Sequence, residues 1–586
     1  MDKTINLPLI KGTGKNPLLS DYVNLFPVNM LAVPPKIVTD GGYMRSFPGL
    51  VKFADVDGAS RGVLSNAFDS LVYRVCGKKL YQSGKEIADV SGDERVSMAG
   101  SNQSVAVAAG GVMTVRKIDG TTAKLANWPP SKYFPGETTV LVSGNKSAGY
   151  DGSLPLTEPM TDKGRLVLTI TPATSSGATG AALEVDKIQK SYDQGVPGSG
   201  TPYLTDVFVS GFDISGTTLT VGYTFNANGA DGDDNTSFVW TQIVEPTDIR
   251  YAQYDLGEVA DICHANSRYA WIKAGTNTFG VTDLDDETHP DRYRPFMTAE
   301  SFPDPAIGIA ALNGDIVVFG TVSTEYFTLT GFTDSTKPIY KSQQAALIPV
   351  GIAGVHSKVQ VGSKFAVISN PAGGKVSVYL LGDGRATEIA SPEIIRELQK
   401  FRPEELAESV VETLETGIHQ LIIVRVASFV WCYDLTSKNW CCLSSGPEMK
   451  PHIATDFALE NGRITCGDIY HGQLGWLDES TAAQYGEPQS HILYTPMLSA
   501  AGAVLVDLEL NTASGLAGSI EHLAVAASTD GATFPHEVQV ISDGPRRYTE
   551  RVLLPNVGYV AKDIAFRFRS FSRTAFTATS CKVRAT

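Results

Sequence analysis

The chain has 586 residues, with 48 Lys and Arg against 63 Asp and Glu, for a formal net charge of -15 and a pI near 5.1. That balance excludes a protein that grips nucleic-acid backbones by displacing counterions, which needs clustered cations, although DNA that slides past without sticking remains compatible with it. No apolar run approaches the ~20 residues of a membrane helix, and the opening Met1-Asp-Lys-Thr-Ile-Asn6 lacks the apolar stretch of a secretory signal, so the expectation is a protein made in a cytoplasm with no membrane span.

Gly 56 and Pro 31, with abundant Thr, Val, Ser, Tyr and Phe, suit short strands joined by tight turns. The fold class expected is all-β. Residues 1–59 are Pro-rich, with Leu7-Pro8, Asn16-Pro17, Phe26-Pro27, Val33-Pro34-Pro35 and Phe47-Pro48-Gly49. Because proline cannot donate to a ladder, this segment reads as an extended arm lying across other elements. Leu18, Leu19, Val23, Leu25, Phe26, Val28 and Met30 give it apolar surface to bury.

Over residues 60–128 short apolar runs alternate with turn signals: Leu71 to Cys76 then Lys79 to Gln82, and Val105 to Ala109 then Val112 to Ile118 across Gly110-Gly111. The pattern is clearest from Asp261 to Tyr293, where Tyr269 to Ile272 and Phe279 to Val281 flank Gly275, Asn277 and Thr278 and lead into a polar loop. It returns around Ile316, Phe365, Leu421 and Ile464, and these anchors with Tyr269 stand 43 to 56 residues apart. That is the period of four-stranded propeller blades, six to seven of them. Residues 246–486 form the second part of the array. Ser391-Pro392 and Pro403, followed by apolar residues at helical spacing, predict a short helical insertion near 391–411.

Residues 129–245 are too many for one blade and are dense in Gly, Ser and Thr, with alternating runs at Arg165 to Thr171, Val207 to Ser210 and Thr218 to Tyr223. They read as an inserted β-rich domain between blades. Residues 487–586 change rhythm, with longer alternating strands at Val504 to Leu510, Leu523 to Ala527, Glu537 to Ile541, Thr549 to Leu553 and Ile564 to Phe568. They suit a C-terminal β-sandwich.

The densest acid and histidine cluster is Asp283, Asp285, Asp286, Glu287, His289 and Asp291, beside Arg292. Converging carboxylates serve hard cations and general acid–base chemistry. This run lacks the glycine and alternation of a calcium loop and has arginine beside it, so it reads as an inter-blade or inter-subunit loop. Ala230 to Asn235 has no closing glutamate and reads as a solvated turn, and Ser528 to Phe534 as a hairpin capped by Asp530. Lys11-Gly-Thr-Gly-Lys15 lacks the spacing of a phosphate loop. The seven cysteines, Cys76, Cys263, Cys432, Cys441, Cys442, Cys466 and Cys581, read as buried thiols rather than zinc ligands. No catalytic, metal or cofactor site is indicated, and no cofactor is expected.

Several blocks point to one family. Leu7-Pro-Leu-Ile-Lys-Gly-Thr-Gly-Lys, Pro27-Val-Asn-Met-Leu-Ala, Gly42-Tyr-Met-Arg-Ser-Phe-Pro-Gly, Ser60-Arg-Gly-Val, Tyr73-Arg-Val-Cys-Gly-Lys-Lys-Leu-Tyr, Arg95-Val-Ser-Met-Ala, Asp283-Leu-Asp-Asp-Glu-Thr-His-Pro-Asp-Arg-Tyr, Glu325-Tyr-Phe-Thr-Leu-Thr-Gly and Ile368-Ser-Asn-Pro-Ala resemble the packaged-DNA stabilisation protein, or tail hub (nozzle), of short-tailed bacteriophages. The resemblance spans nearly the whole chain apart from the insertion, which departs from the family pattern. It implies a propeller-based structural protein of the virion, not an enzyme. It implies a homo-hexameric ring below the portal and head-to-tail adaptor that closes the exit channel, stabilises packaged DNA until genome ejection and attaches the tail needle or plug and the tailspikes or tail fibres. The insertion would lengthen the nozzle or dock a receptor-binding protein. The competing reading is a propeller glycosidase or lyase acting on bacterial surface polysaccharide, which needs carboxylates converging from several blades; a third makes the insertion alone an adhesin.

Overall fold

The apolar runs that dominate the sequence pattern are the middle strands of blades, buried on both faces. Arg268–Lys273, Asp315–Gly320 and Gln420–Val426 are buried over nearly their full length. The computed structural model describes residues 3–9, 25–35, 42–117, 120, 122–124, 257–284, 287–288, 290, 296–331, 337–370, 374–513, 522–540 and 550–586, with the backbone of several strands between 140 and 251.

Seven four-stranded antiparallel sheets follow one another in these residues. Their first strands are Ser60–Asn66, Ser97–Gly100, Val259–Ala265, Ala306–Leu312, Lys358–Val361, Val410–Glu415 and Ala454–Glu460, for blades 1 to 7. All seven line one axial cavity, so each blade runs outward from the centre. Between blades lie apolar cores. Phe279 of blade 3 meets Phe327 of blade 4 edge to face at 4.9 Å, and Phe319 of blade 4 meets Phe365 of blade 5 at 5.2 Å.

Blades 1 to 6 supply their own four strands, but blade 7 does not. Its outermost strand is Gly49–Asp55, paired antiparallel with Gln473–Asp478. The N-terminal segment therefore closes the ring. Gly49 fits because no side chain can: a Cβ there would stand 2.4 Å from the Ala483 carbonyl oxygen and 2.8 Å from that of Thr481.

The rest of the expected arm is also used as strands. Met30–Val33 pairs with Tyr43–Ser46, which pairs with Thr577–Ala585, and Lys3–Leu7 lies along the same edge of that last strand. Val504–Ala513 and Glu550–Tyr559 complete this sheet. The second sheet is Gln489–Tyr494, Asp563–Ser572, Leu523–Ser528 and Glu537–Val540, with Leu498–Ser499 beside Asp563–Ser572. The C-terminal sandwich is thus built from both N-terminal and C-terminal strands, and the described residues of segment 1–59 are mostly paired strands rather than an unpaired arm. Its prolines fit this use, since Pro8, Pro27, Pro34 and Pro48 fall just outside the strands.

Two short helices, Pro392–Leu398 and Pro403–Ala407, sit between blades 5 and 6. Ser391 caps the first, and Ile394, Leu398 and Leu406 bury themselves in the core between those blades. The insertion leaves blade 2 after Thr122–Lys124 and returns before Val259. Val140–Val142 pairs antiparallel with Ile249–Tyr251, and beyond this two-stranded stem Leu204–Ser215, Thr218–Ala227 and Asp234–Ile243 form a sheet with the short strands Leu183–Glu184 and Lys187–Ile188. The run expected at 165–171 lies outside the described residues.

Asn29 joins the N-terminal segment to both domains. Its Nδ2 donates to the carbonyls of Ser444 (3.0 Å) and Ser490 (2.8 Å), and its Oδ1 accepts from the Ser444 amide at 2.9 Å. The residue is 3% exposed and has φ 52°, a left-handed conformation that asparagine tolerates. Asn29→Ala removes these three buried hydrogen bonds to the backbone at ~1 kcal/mol each, with a longer one to the Ser444 hydroxyl, and adds ~1 kcal/mol of backbone strain, a loss of about 4 kcal/mol. Asn29→Gly keeps the conformation and is expected to lose about 3 kcal/mol. Urea unfolding measures both; losses under ~1 kcal/mol would mean that strand pairing alone holds the junction.

Candidate functional site

The axial cavity has a volume of about 640 Å³ and is lined by the first strand of every blade. In blades 1, 3, 4 and 7 these strands carry a bulge near their start, at Ser60/Gly62, Val259/Asp261, Ala306/Gly308 and Thr455/Ala458. Bulges re-aim side chains, and here they bring polar groups together at one end of the channel.

Two knots result. In the first, Arg95, just ahead of the first strand of blade 2, pairs with Asp456 of blade 7. Ser60 of blade 1 donates to the other Asp456 carboxylate oxygen at 2.7 Å, and Arg74 of blade 1 donates to the Asp456 carbonyl at 2.6 Å. Glu412 of blade 6 accepts from the Asp456 amide and from the Thr455 hydroxyl, while Arg425 of blade 6 donates to the carbonyls of His452 and Ala454 at 2.8 Å each. In the second knot Asp261 of blade 3 takes the Lys358 ammonium of blade 5 at 2.7 Å and the Ile309 amide of blade 4 at 2.8 Å. One knot ties blades 1, 2, 6 and 7 and the other ties blades 3, 4 and 5.

The electrostatics follow from burial. Burial works against the Asp456 carboxylate, yet Arg95 and Arg74 outweigh it and hold its pKa below the usual range. Glu412 goes the other way: burial and then the Asp456 charge push it up, with Arg95 and Arg425 opposing. His356 is lowered to about 4 by burial, then by Arg95 and Lys358, so it is neutral at pH 7.

Of the acid cluster expected to form a loop contact, Asp285, Asp286, His289, Asp291 and Arg292 lie outside the described residues, and Asp283 is half-buried. Glu287 is buried, 9% exposed, and accepts from the Ser101 and Ser104 hydroxyls of blade 2. The Ser104 hydroxyl is in turn 2.9 Å from the Tyr269 hydroxyl of blade 3. Glu287 therefore stitches two blades. Among the described residues no three His, Cys, Asp or Glu side chains come together so as to hold a metal ion, and no helix is long and apolar enough to cross a membrane. The channel carboxylates Asp261, Glu412 and Asp456 are each already bound, which leaves none of the three free to protonate or attack a glycosidic bond.

These residues were not singled out in the sequence as a group, because Arg95, Asp261, Lys358, Glu412 and Asp456 are dispersed over five blades. Ser60, Arg74 and Arg95 do fall inside sequence blocks that carry the family resemblance.

The two shifted carboxylates give opposite expectations. Asp456, with its folded pKa depressed, contributes stability that is present above the unfolded carboxylate value of ~3.9 and is lost as pH falls through the folded value. Glu412, with its folded pKa raised, contributes stability present below ~4.3 that is lost as pH rises through the folded value, so its charge is a cost at neutral pH. At pH 7 Asp456→Asn takes the counter-charge from Arg95, which is 25% exposed, and is expected to cost about 2–3 kcal/mol, whereas Glu412→Gln stays within about 1 kcal/mol of the parent or gains. Thermal unfolding of both variants at pH 7 checks the order; equal losses would contradict it.

A family model described as Bacteriophage P22 Gp10, beta-propeller, matches residues 5–145 and 211–482. A second, Bacteriophage P22 Gp10, beta-sandwich, matches residues 490–586. The chain is 32% identical over 582 residues to the tail hub protein gp10 of Salmonella phage P22, covering 99% of this chain and 98% of that one, so residues 129–245 do not stand outside the family as the sequence suggested: the match runs through them, and the propeller model itself takes in 129–145 and 211–245. Among solved structures, Kluyveromyces lactis Hsv2p matches at 9% identity over 66% of this chain and 97% of its own, with a TM-score of 0.23. Human WBSCR16 matches at 9% identity over 68% of this chain and 89% of its own, with a TM-score of 0.21. Superpositions that loose add nothing to the assignment. The propeller, the sandwich and the full-length match agree: the chain belongs to the P22 Gp10 family of short-tailed phage tail hub proteins, structural components of the virion rather than enzymes.

Proposed function

We propose that six copies of this chain form a closed ring below the portal and head-to-tail adaptor, narrowing the DNA exit channel so that packaged DNA is retained until ejection. The ring presents attachment points for the tail needle and for tailspikes or fibres. The observation that carries this reading is the state of the propeller's own axis. A duplex whose major groove alone is ~12 Å wide does not pass a cavity of about 640 Å³ whose one end is crossed by the Arg95–Asp456 and Lys358–Asp261 ion pairs. A hub that passes DNA must then make its passage between subunits, and head-to-tail contacts that close on themselves make rings. The net charge of -15 suits such a passage, because an acidic wall gives the phosphates nothing to hold. The insertion, held on a two-stranded stem, supports a docking role for a spike or fibre, since a module on a stem projects from the blades without disturbing them.

Native mass spectrometry of the protein alone, and then mixed with portal and adaptor, tests the ring. A monomer that becomes a six-copy assembly on the adaptor is the expected result; a monomer that ignores the portal assembly overturns it. A variant in which residues 143–248 are replaced by a tight turn, keeping the stem, is expected to assemble but to lose spike or fibre recruitment. Undiminished recruitment would remove that role from the insertion.

A further inference from the structure

Cys432 and Cys441 are direct register partners across the third and outermost strands of blade 6. Both are free thiols, 0% and 5% exposed. The Leu443 amide bonds to the Val430 carbonyl further along the same ladder, which puts the cysteine pair at a hydrogen-bonded position, where facing Cα atoms lie about 5.5 Å apart. Disulfides span Cα separations of roughly 4.4–6.8 Å with Cβ atoms about 3.5–4.5 Å apart, so closing the bond draws together two Cβ atoms that stand about 4.5–5.5 Å apart in such a ladder. No other two of the seven cysteines are register partners among the described residues: Cys442 faces Trp431, Cys466 faces Gly475 and Cys263 faces Ala270. The Cys441 thiol is hydrogen-bonded with Cys432 and buried, and both effects hold its pKa well above the ordinary thiol value. Reaction is correspondingly slow, which keeps the pair reduced through synthesis and assembly.

We propose that Cys432 and Cys441 are a modification site, closing to a disulfide when the virion meets peroxide outside the reducing cytoplasm. One thiolate attacks a peroxide oxygen, breaking the O–O bond and giving a sulfenic acid and, with the thiol's proton, one water. The second sulfur then displaces the sulfenic oxygen, which leaves as a second water with the remaining thiol proton. Two thiols are oxidised by two electrons, and one hydrogen peroxide is reduced to two waters.

The position gives the bond a purpose. The neighbouring residue Cys442 accepts a hydrogen bond from the Asn29 amide and donates one to the Pro27 carbonyl, both at 2.8 Å. The outermost strand of blade 6 is thus the one on which the N-terminal segment, and through it the sandwich, is hung. Stapling that strand to its neighbour fixes the propeller side of the junction covalently.

The test uses the folded full-length protein, incubated for hours with or without hydrogen peroxide, then unfolded without reductant, alkylated and weighed. The untreated protein takes up seven alkyl groups; the treated protein is expected to take up five, to yield a Cys432–Cys441 linked peptide on digestion, and to return to seven after reduction. Treated Cys441→Ser is expected to keep its six remaining thiols. Seven alkyl groups after treatment overturn the proposal. So do a loss traced to sulfinic acid or to another pairing, and a Cys441→Ser protein that still loses two thiols.

Discussion

A propeller has no stable form with an open seam, because an unfinished last blade presents a bare strand edge and an uncovered apolar face. In this chain the seam lies between blades 7 and 1, and the apolar core there is small among the described residues, built on buried Cys76, Tyr81 and Leu474. Two other devices hold it. One is the foreign strand Gly49–Asp55 on the outer edge of blade 7. The other is the polar knot at Asp456, where Ser60 and Arg74 reach across from blade 1. The seam is closed at its rim by backbone pairing and at its axis by charge.

The choice of charge at the axis has a geometric reason. The first strands converge at their bulged ends, and apolar side chains from seven directions would either leave a void or overfill the space. Arginine and lysine reach across the gap and finish in directional hydrogen bonds, so the blades are held in register as well as together. Because the knots use every carboxylate they bring in, the axis is a fastening rather than a reaction site. This separates the chain from propellers that act on substrates at that position, and agrees with a structural hub.

The middle strands of the blades were legible in the sequence because burial on both faces leaves near-continuous apolar runs such as Ile316 to Phe319 and Leu421 to Val424. First strands were harder to read, since one side faces the polar channel, and outermost strands such as Arg385–Glu388 are half solvent-exposed. The helices near 391–411 were visible from Ser391, Pro392 and Pro403. The use of residues 3–7, 30–33 and 43–55 as strands in two distant sheets was not, because pairing partners some hundreds of residues away leave no local periodicity. Within the acid cluster the place of Glu287 is decided by geometry: its partners Ser101 and Ser104 lie in another blade, and no spacing rule connects them to it. The knots escaped for the same reason.

The strand that closes the ring is made before any of the blades it closes. Gly49–Asp55 leaves the ribosome about 420 residues ahead of its partner, which at ~5–20 residues per second is a wait of roughly 20–80 s. Throughout that time the segment lacks its partner strand in blade 7, and the ring of blades has no closed seam. The ring snaps shut only when residues 473–478 emerge, and the sandwich that needs residues 577–585 comes later still. Closure of the ring therefore waits on residues 473–478, and the N-terminal strands of the sandwich on residues 577–585: a chain cut before either lacks the partner its own beginning pairs with.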